Sequence, residues 1–222
     1  MVVSLSHHLC VFKRLRRRCE HITKGVRCVE TALPKDIMSS ALLLIDLQNS
    51  ILTGLGAPDR QPAIDTVLET VVTKLATLKR NARAAGIPAF IVQHDGTVGH
   101  RLAKRSEGWQ LRREIAPEAG DVVVHKTSSD SFFETDLEAK LRARGITRLF
   151  IGGCMTQFCV DTTARRAVSL GFDVSLISNG HTTADMGKLT FEEIVTHHNM
   201  LLDGFDAGPH EIKLIASTEI LF

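Results

Sequence analysis

The chain has 222 residues, 44% hydrophobic and 23% charged, which suits one soluble globular domain with a sizeable core. Its net charge of +2 is uneven: residues 1–40 hold eight Lys and Arg against three Asp and Glu, leaving 19 basic and 22 acidic residues in the body and no basic stripe for nucleic acid. Five cysteines without CxxC spacing, no cleavable secretory signal and no apolar run long enough to cross a bilayer point to a reduced, cytoplasmic setting.

Residues 1–38 stand apart. Met1 to Cys10 is mildly apolar, Lys13, Arg14, Arg16, Arg17 and Arg18 form a basic run, and Pro34 precedes the next regular segment. Three readings compete: a basic arm, upstream sequence before a start at Met38, or an Arg-rich peptide directing the protein to mitochondria. Glu20, Glu30 and Asp36 count against the last. The segment is expected to be a poorly ordered extension of a domain spanning 39–222. Cys10, Cys19 and Cys28 with His7, His8 and His21 match no usual zinc-finger spacing.

Ala41-Leu42-Leu43-Leu44-Ile45 is a continuous apolar run, as in a strand covered on both faces of a parallel sheet, and it delivers Asp46 to the strand's carboxyl end. Ligands and catalytic groups gather at that edge in open α/β sheets, although for Asp46 taken alone a turn or cap carboxylate is the better reading. The stretch from Leu47 to Pro58 lacks the G-x-G-x-x-G fingerprint, so no dinucleotide site is expected. Ile64, Val67, Leu68, Val71, Leu75 and Leu78 recur at helical spacing and predict a helix over 62–85, closed by Gly86. Ala89-Phe90-Ile91-Val92 is the second strand, followed by His94, Asp95 and His100 in a polar loop. A metal site there competes with solvated or substrate-facing histidines, and the latter is preferred.

Trp109 lies in a long segment of the kind that shapes a pocket, or serves as a plug. Asp121 to His125 forms the third strand, with Lys126 at its end mirroring Asp46, and Phe132 and Phe133 soon after. A helix capped by Thr135 or Asp136 runs towards Arg144. The fourth strand, Arg148-Leu149-Phe150-Ile151, stops at Gly152 and Gly153, and helical spacing resumes at Cys159, Ala164, Ala167, Val168 and Leu170. Cys159 therefore sits near a helix start, where unpaired N–H groups favour a thiolate and can hold an oxyanion. A buried cysteine acting as a small hydrophobe fits the same local pattern. A fifth strand over 173–177, a helix near 190–202 and a strand near 212–216 complete an alternation that indicates a doubly wound parallel sheet.

Together ALLLIDLQNSIL, VVVHKTSSDSFFETDLEAKLRARGITRLFIGG and CMTQFCVDTTARRAVSLGFDV resemble the isochorismatase-like cysteine hydrolases over residues 40–216. The resemblance implies a three-layer α/β/α, Rossmann-like domain with a mostly parallel six-stranded sheet. It also implies a catalytic triad of Asp46, Lys126 and Cys159, an oxyanion hole from the N–H groups of Met155 and Cys159, and a non-proline cis peptide at Cys154-Met155. No cofactor is implied. The Asp-x-His metal motif of the related nicotinamidases is not reproduced by Gln93-His94-Asp95-Gly96.

The expected activity is cleavage of a C–N bond in a small carboxamide, ureide or lactam through a thioester, with His94, Trp109, Phe132, Phe133 and Phe158 lining the substrate pocket. Isochorismatase-type vinyl ether hydrolysis and a non-catalytic binding module on the same fold are the alternatives. The partner is a small-molecule amide, with neither nucleic acid nor membrane, and the chain is expected to form a homo-oligomer.

Overall fold

The computed structural model describes residues 39–222, together with the backbone of two upstream strands. These, β1 (Arg17–Ile22) and β2 (Gly25–Glu30), pair antiparallel with Cys19 opposite Cys28. Otherwise the expectations for residues 1–38 lie outside the described residues.

The central sheet is built from β3 (Ser40–Ile45), β4 (Ala89–His94), β5 (Val122–Lys126), β6 (Arg148–Cys154), β7 (Asp173–Thr182), β8 (Asp206–Ala207) and β9 (His210–Ile215). The spatial order is β5-β4-β3-β6-β7-β9-β8, parallel except for the β8-β9 pair. Six strands were expected and seven are present. The seventh, Asp206-Ala207, is a two-residue antiparallel edge with no apolar run to announce it.

All six residues of β3 are buried because helices cover both faces of the sheet. Alternation divides them: Leu42 and Leu44 join the core under helix α1 (Gln61–Ala84), with Ile64, Leu68 and Leu75. Leu43 and Ile45 join the opposite core, against α2 (Leu137–Arg142) and α3 (Asp161–Ser169), with Leu137, Leu141, Ala164 and Val168. Each fully buried Leu or Ile contributes about 1.5–3 kcal/mol, so a run of four on one strand anchors the sheet. The last helix, α4 (Phe191–Leu202), starts at a capping box in which the Thr190 hydroxyl accepts from Glu193 N–H and the Glu193 carboxylate accepts from Thr190 N–H.

Two departures from the expected boundaries shape the site. Strand β7 runs five residues past Ile177, with a register shift opposite Ile151 to Gly153, so His181 and Thr182 lie beside Gly153 and Cys154. The sheet backbones also crowd together there: Gly153 has φ +136°, and a Cβ at that position would collide with the backbone of Ile45. Only glycine suits both the angle and the close approach.

The sheet order makes the junction between β3 and β6 the topological switch point. From β3 the chain proceeds towards β4 and β5 on one side, and from β6 towards β7 and β9 on the other. The carboxyl ends of these two neighbours bound the crevice in which such sheets bind ligands.

Candidate active site

Asp46 follows β3 directly and adopts φ +51°, a left-handed conformation that aspartate tolerates better than most residues. Its N–H donates to Val92 O (3.0 Å) and its carbonyl accepts from Gln48 N–H (2.9 Å), so the kink is locked on both sides. The turn reading and the site reading of Asp46 therefore describe the same residue. Gln48 extends the clamp: its Oε1 accepts from His94 N–H (3.0 Å), and its Nε2 donates to His94 O (3.0 Å) and Trp109 O (2.8 Å).

Lys126, the last residue of β5, shares a sheet face with buried Val122 and Val124. Its ammonium lies 2.8 Å from Asp46 Oδ2, and both side chains are essentially sealed from solvent. It also donates to Ser128 O (2.9 Å) and Ser129 O (3.2 Å). The Ser129 to Ser131 loop is held by α3, where the Thr163 hydroxyl donates to Ser131 Oγ (2.8 Å) and accepts from Ser131 N–H (3.1 Å). Among the described residues, the buried Asp46 Oδ1 meets no hydrogen-bond donor.

Cys159 completes the cluster, flanked by the Asp46 carboxylate and the Lys126 ammonium. It sits in a single π-helical turn, Thr156–Val160, and α3 begins only at Asp161. Val160 N–H reaches back to Met155 O (3.2 Å), the five-residue step that widens the turn, a feature frequent at functional sites. The expected helix start is thus a π turn, and its effect on the thiol also differs. Burial first, then the adjacent Asp46 charge, push the thiol up to about 11, with Lys126 opposing. Lys126 in turn is raised: burial lowers it, but Asp46 and Cys159 outweigh that. At neutral pH the site holds a neutral thiol beside an Asp–Lys ion pair, whereas the helix-start argument alone favours a thiolate.

The peptide bond Cys154-Met155 is cis, at the position implied by the family resemblance. Cys154 is fully buried, its thiol pushed well above the ordinary range by burial, and it packs in the core.

Beside this cluster lies a cavity of about 340 Å³. Asp46, Cys159, Met155, His94 and Phe158 lie in its wall. His94 has a buried Nδ1 without a partner, and its ring is held below the ordinary histidine range by burial, with Asp46 opposing. Trp109, Phe132 and Phe133 are not in the wall, a correction to the expected substrate pocket. The indole of Trp109 donates to Asp95 Oδ1 (2.7 Å) and stacks on His125, while its carbonyl accepts from Gln48 and Gln93. It therefore fastens the loop after β4 to the sheet. Phe132 packs on Phe172 in the core beside α2 and α3, and Phe133 is 53% exposed on a turn.

The cavity wall also contains residues that sequence reasoning did not assign to it, among them Arg101, Gln157, Asp185 and Met186. His100 lines it too, a histidine weighed above as a metal ligand, a solvated side chain or a substrate-facing one. Among the described residues, no three His, Cys, Asp or Glu side chains gather closely enough to hold a metal ion. Asp95 is engaged by Trp109, His125 and Lys104.

His181 lies under the nucleophile turn. Its Nε2 is 3.0 Å from Asn199 Oδ1, and because Asn199 Nδ2 donates to Ser178 O, that oxygen is the acceptor and Nε2 carries the proton. Nδ1 then accepts from the Thr156 hydroxyl (3.0 Å) at the start of the π turn. Burial drives the ring down to about 4 from 6.5, more than the Asn199 bond raises it. A histidine depressed in the folded state contributes full stability above the unfolded value and loses it as the unfolded chain takes up the proton. Stability is expected to fall by about 3 kcal/mol between pH 6.5 and pH 4. Urea midpoints across this range check the slope, and His181→Asn is expected to flatten that part of it.

Comparison with known proteins agrees with this geometry. The family profile described as "Isochorismatase domain" matches residues 40–199. Over 151 residues the chain is 32% identical to the isochorismatase family protein YddQ of Bacillus subtilis (strain 168), covering 67% of this chain and 81% of that protein. Over 146 residues it is 36% identical to streptothricin hydrolase of Streptomyces noursei, covering 66% of this chain but only 50% of that protein. A crystal structure of an isochorismatase family protein superposes with a TM-score of 0.68 at 30% identity, covering 81% of this chain and 99% of the other. With a matched profile spanning most of the sheet and the whole turn that carries Cys159, the chain belongs to the isochorismatase family of hydrolases.

Proposed function

We propose that this protein is a cysteine hydrolase that cleaves a C–N bond of a small carboxamide, ureide or lactam. The observation that carries the reading is the Cys159 thiol at the floor of the cavity, between Lys126 and an Asp46 carboxylate whose Oδ1 meets no other donor. A thiol raised to about 11 needs a base at the moment of attack, and Asp46 is the carboxylate beside it.

In the first half-reaction the sulfur bonds to the substrate carbonyl carbon and the thiol proton passes to Asp46. The N–H groups of Met155 and Cys159 are assigned to the developing oxyanion. Asp46 then protonates the departing nitrogen as the C–N bond breaks, leaving a thioester on Cys159. In the second half-reaction a water gives its proton to Asp46 and attacks the thioester, and the C–S bond breaks as the sulfur recovers the proton. Lys126 keeps Asp46 in place and balances the negative charge as it moves between carboxylate and sulfur. Water and amide become acid and amine, with no other reactant.

Ammonia release from a panel of small carboxamides and ureides tests the reading, alongside Cys159→Ala and a chelator control. The expected result is turnover that vanishes in Cys159→Ala and ignores chelator. Inert amides with cleavage of isochorismate would replace it with the vinyl ether reading. No turnover of either, with a folded protein, would point to a non-catalytic module.

A further inference from the structure

One formal charge in the cavity wall is not neutralised by its surroundings. Asp46 is paired with Lys126, and Asp185 is gripped by Arg60 through Nε (2.7 Å) and Nη2 (3.1 Å). Arg101 has no carboxylate partner among the described residues. Its guanidinium donates Nε–H to Ile51 O (3.0 Å) and one Nη2–H to the Met155 sulfur (3.6 Å), a weak acceptor. The remaining three N–H groups meet no acceptor among the described residues. Burial lowers this half-buried group, and Cys159 is the neighbour that opposes the shift.

Lys126 cannot serve a ligand as a cation, because its side chain is fully buried, paired with Asp46 and bonded to Ser128 O and Ser129 O, and it is not part of the wall. Arg60 is not part of the wall. Arg101 is thus the one Arg or Lys among the described residues that faces the cavity, on the same wall as the nucleophile.

Its position is built rather than adventitious. The loop that carries it is closed by Gly96 N–H to Leu102 O (2.9 Å) and Lys104 N–H to Gly96 O (3.0 Å). Trp109 ties the far end of the loop to Asp95 and to both buried glutamines, Gln48 and Gln93. Ile51 O fixes the Nε side of the guanidinium, leaving the Nη side for a ligand. Partial burial disfavours the charged guanidinium. Two parallel N–H···O bonds to a carboxylate reverse this, in the geometry that guanidinium binds best.

We infer that Arg101 is the specificity-determining residue of this site and binds a carboxylate of the substrate, so that the preferred substrates are small amides or ureides bearing a carboxylate near the scissile carbonyl. The inference rests on the hydrolase reading for the reaction, and on the cavity alone for the binding. A cavity of about 340 Å³ restricts the class to compact molecules.

The test compares oxamate, malonamate and succinamate with oxamide, malonamide and succinamide, in the wild-type protein, Arg101→Met and Arg101→Lys, with thermal melts to verify folding. In the wild type, kcat/KM is expected to favour at least one acid over its diamide by about tenfold or more. Arg101→Met is expected to collapse that ratio towards one, mainly through KM, and Arg101→Lys to restore part of it. A wild type that turns over diamides as well as acids overturns the inference. So does an Arg101→Met variant that lowers both substrates equally, which is the signature of a catalytic or structural role.

If no amide of any kind is turned over, the hydrolase reading fails separately, and calorimetric titration of oxalate, malonate and succinate into Cys159→Ala decides the binding question. Binding that weakens about tenfold or more when Arg101→Met is added upholds the carboxylate site without any turnover. Equal binding in the two proteins, or none in either, overturns it.

Discussion

Replacing Asp46 by Asn is expected to lower kcat/KM for amide hydrolysis by about a thousandfold or more while making Cys159 more reactive towards iodoacetamide. The two effects have opposite signs because Asp46 does two things to the sulfur. As the base of the proposed mechanism it would be required for attack, and general base catalysis of this kind supplies about 10²–10⁴ in rate. As an adjacent negative charge it raises the thiol, while Lys126 lowers it. Without the carboxylate, burial still opposes ionisation, but the ammonium has only the sulfur left to pair with. The thiolate fraction at mildly alkaline pH then rises, and alkylation, which needs only a thiolate, accelerates. Ammonia release and the iodoacetamide rate on the same preparation check both halves. Hydrolysis within about tenfold of wild type would show that Asp46 is not the base, and slower alkylation would show that its charge is not what holds the thiol protonated.

Lys126→Met is expected to destabilise the fold by about 3–5 kcal/mol and to abolish turnover. Both members of the ion pair are sealed from solvent, so removing the ammonium leaves a buried carboxylate without a counter-charge, which costs more than the intact pair contributes. Ser128 O and Ser129 O lose their donor at the same time, adding to the cost. The double variant Asp46→Leu with Lys126→Met, inactive by design, is expected to recover most of the lost stability because no unpaired charge remains. Urea midpoints of the wild type, the single and the double variant give the comparison. A single variant within about 1 kcal/mol of wild type would mean that water reaches the carboxylate and that the pair is not sealed.

Much of this was legible in residue order. Parallel strands are buried on both faces, so runs such as Leu42 to Ile45 and Val122 to Val124 are continuous and apolar, and the next residue is delivered to the carboxyl edge. Asp46, Lys126 and the turn carrying Cys159 could be placed on one edge from that pattern, and the family resemblance named them. Trp109 misled for a physical reason. A large aromatic in a long loop reads as a pocket wall, but its indole N–H and backbone carbonyl found partners in Asp95, Gln48 and Gln93 that lie 61 residues away in the chain at the furthest. Arg101 was missed because one arginine among the charged residues of a polar loop resembles a solvated side chain. Only the absence of a carboxylate partner among the described residues of the folded chain singles it out.

By itself the sequence determined the alternation of strands and helices, the edge on which the reactive groups gather and the residue types present there, because these depend on local periodicity and chain order. Distances and charge states were decided by the tertiary structure. The order β5-β4-β3-β6 sets Lys126 two strands from Asp46 yet on the same edge, and the left-handed turn at Asp46 departs from the strand alternation just where the carboxylate meets the ammonium. Burial of Cys159 beside Asp46 then pushes up a thiol that a place near a helix start would by itself push down. Such terms depend on which groups are close and dry, and proximity across 113 residues of chain is a property of the fold alone.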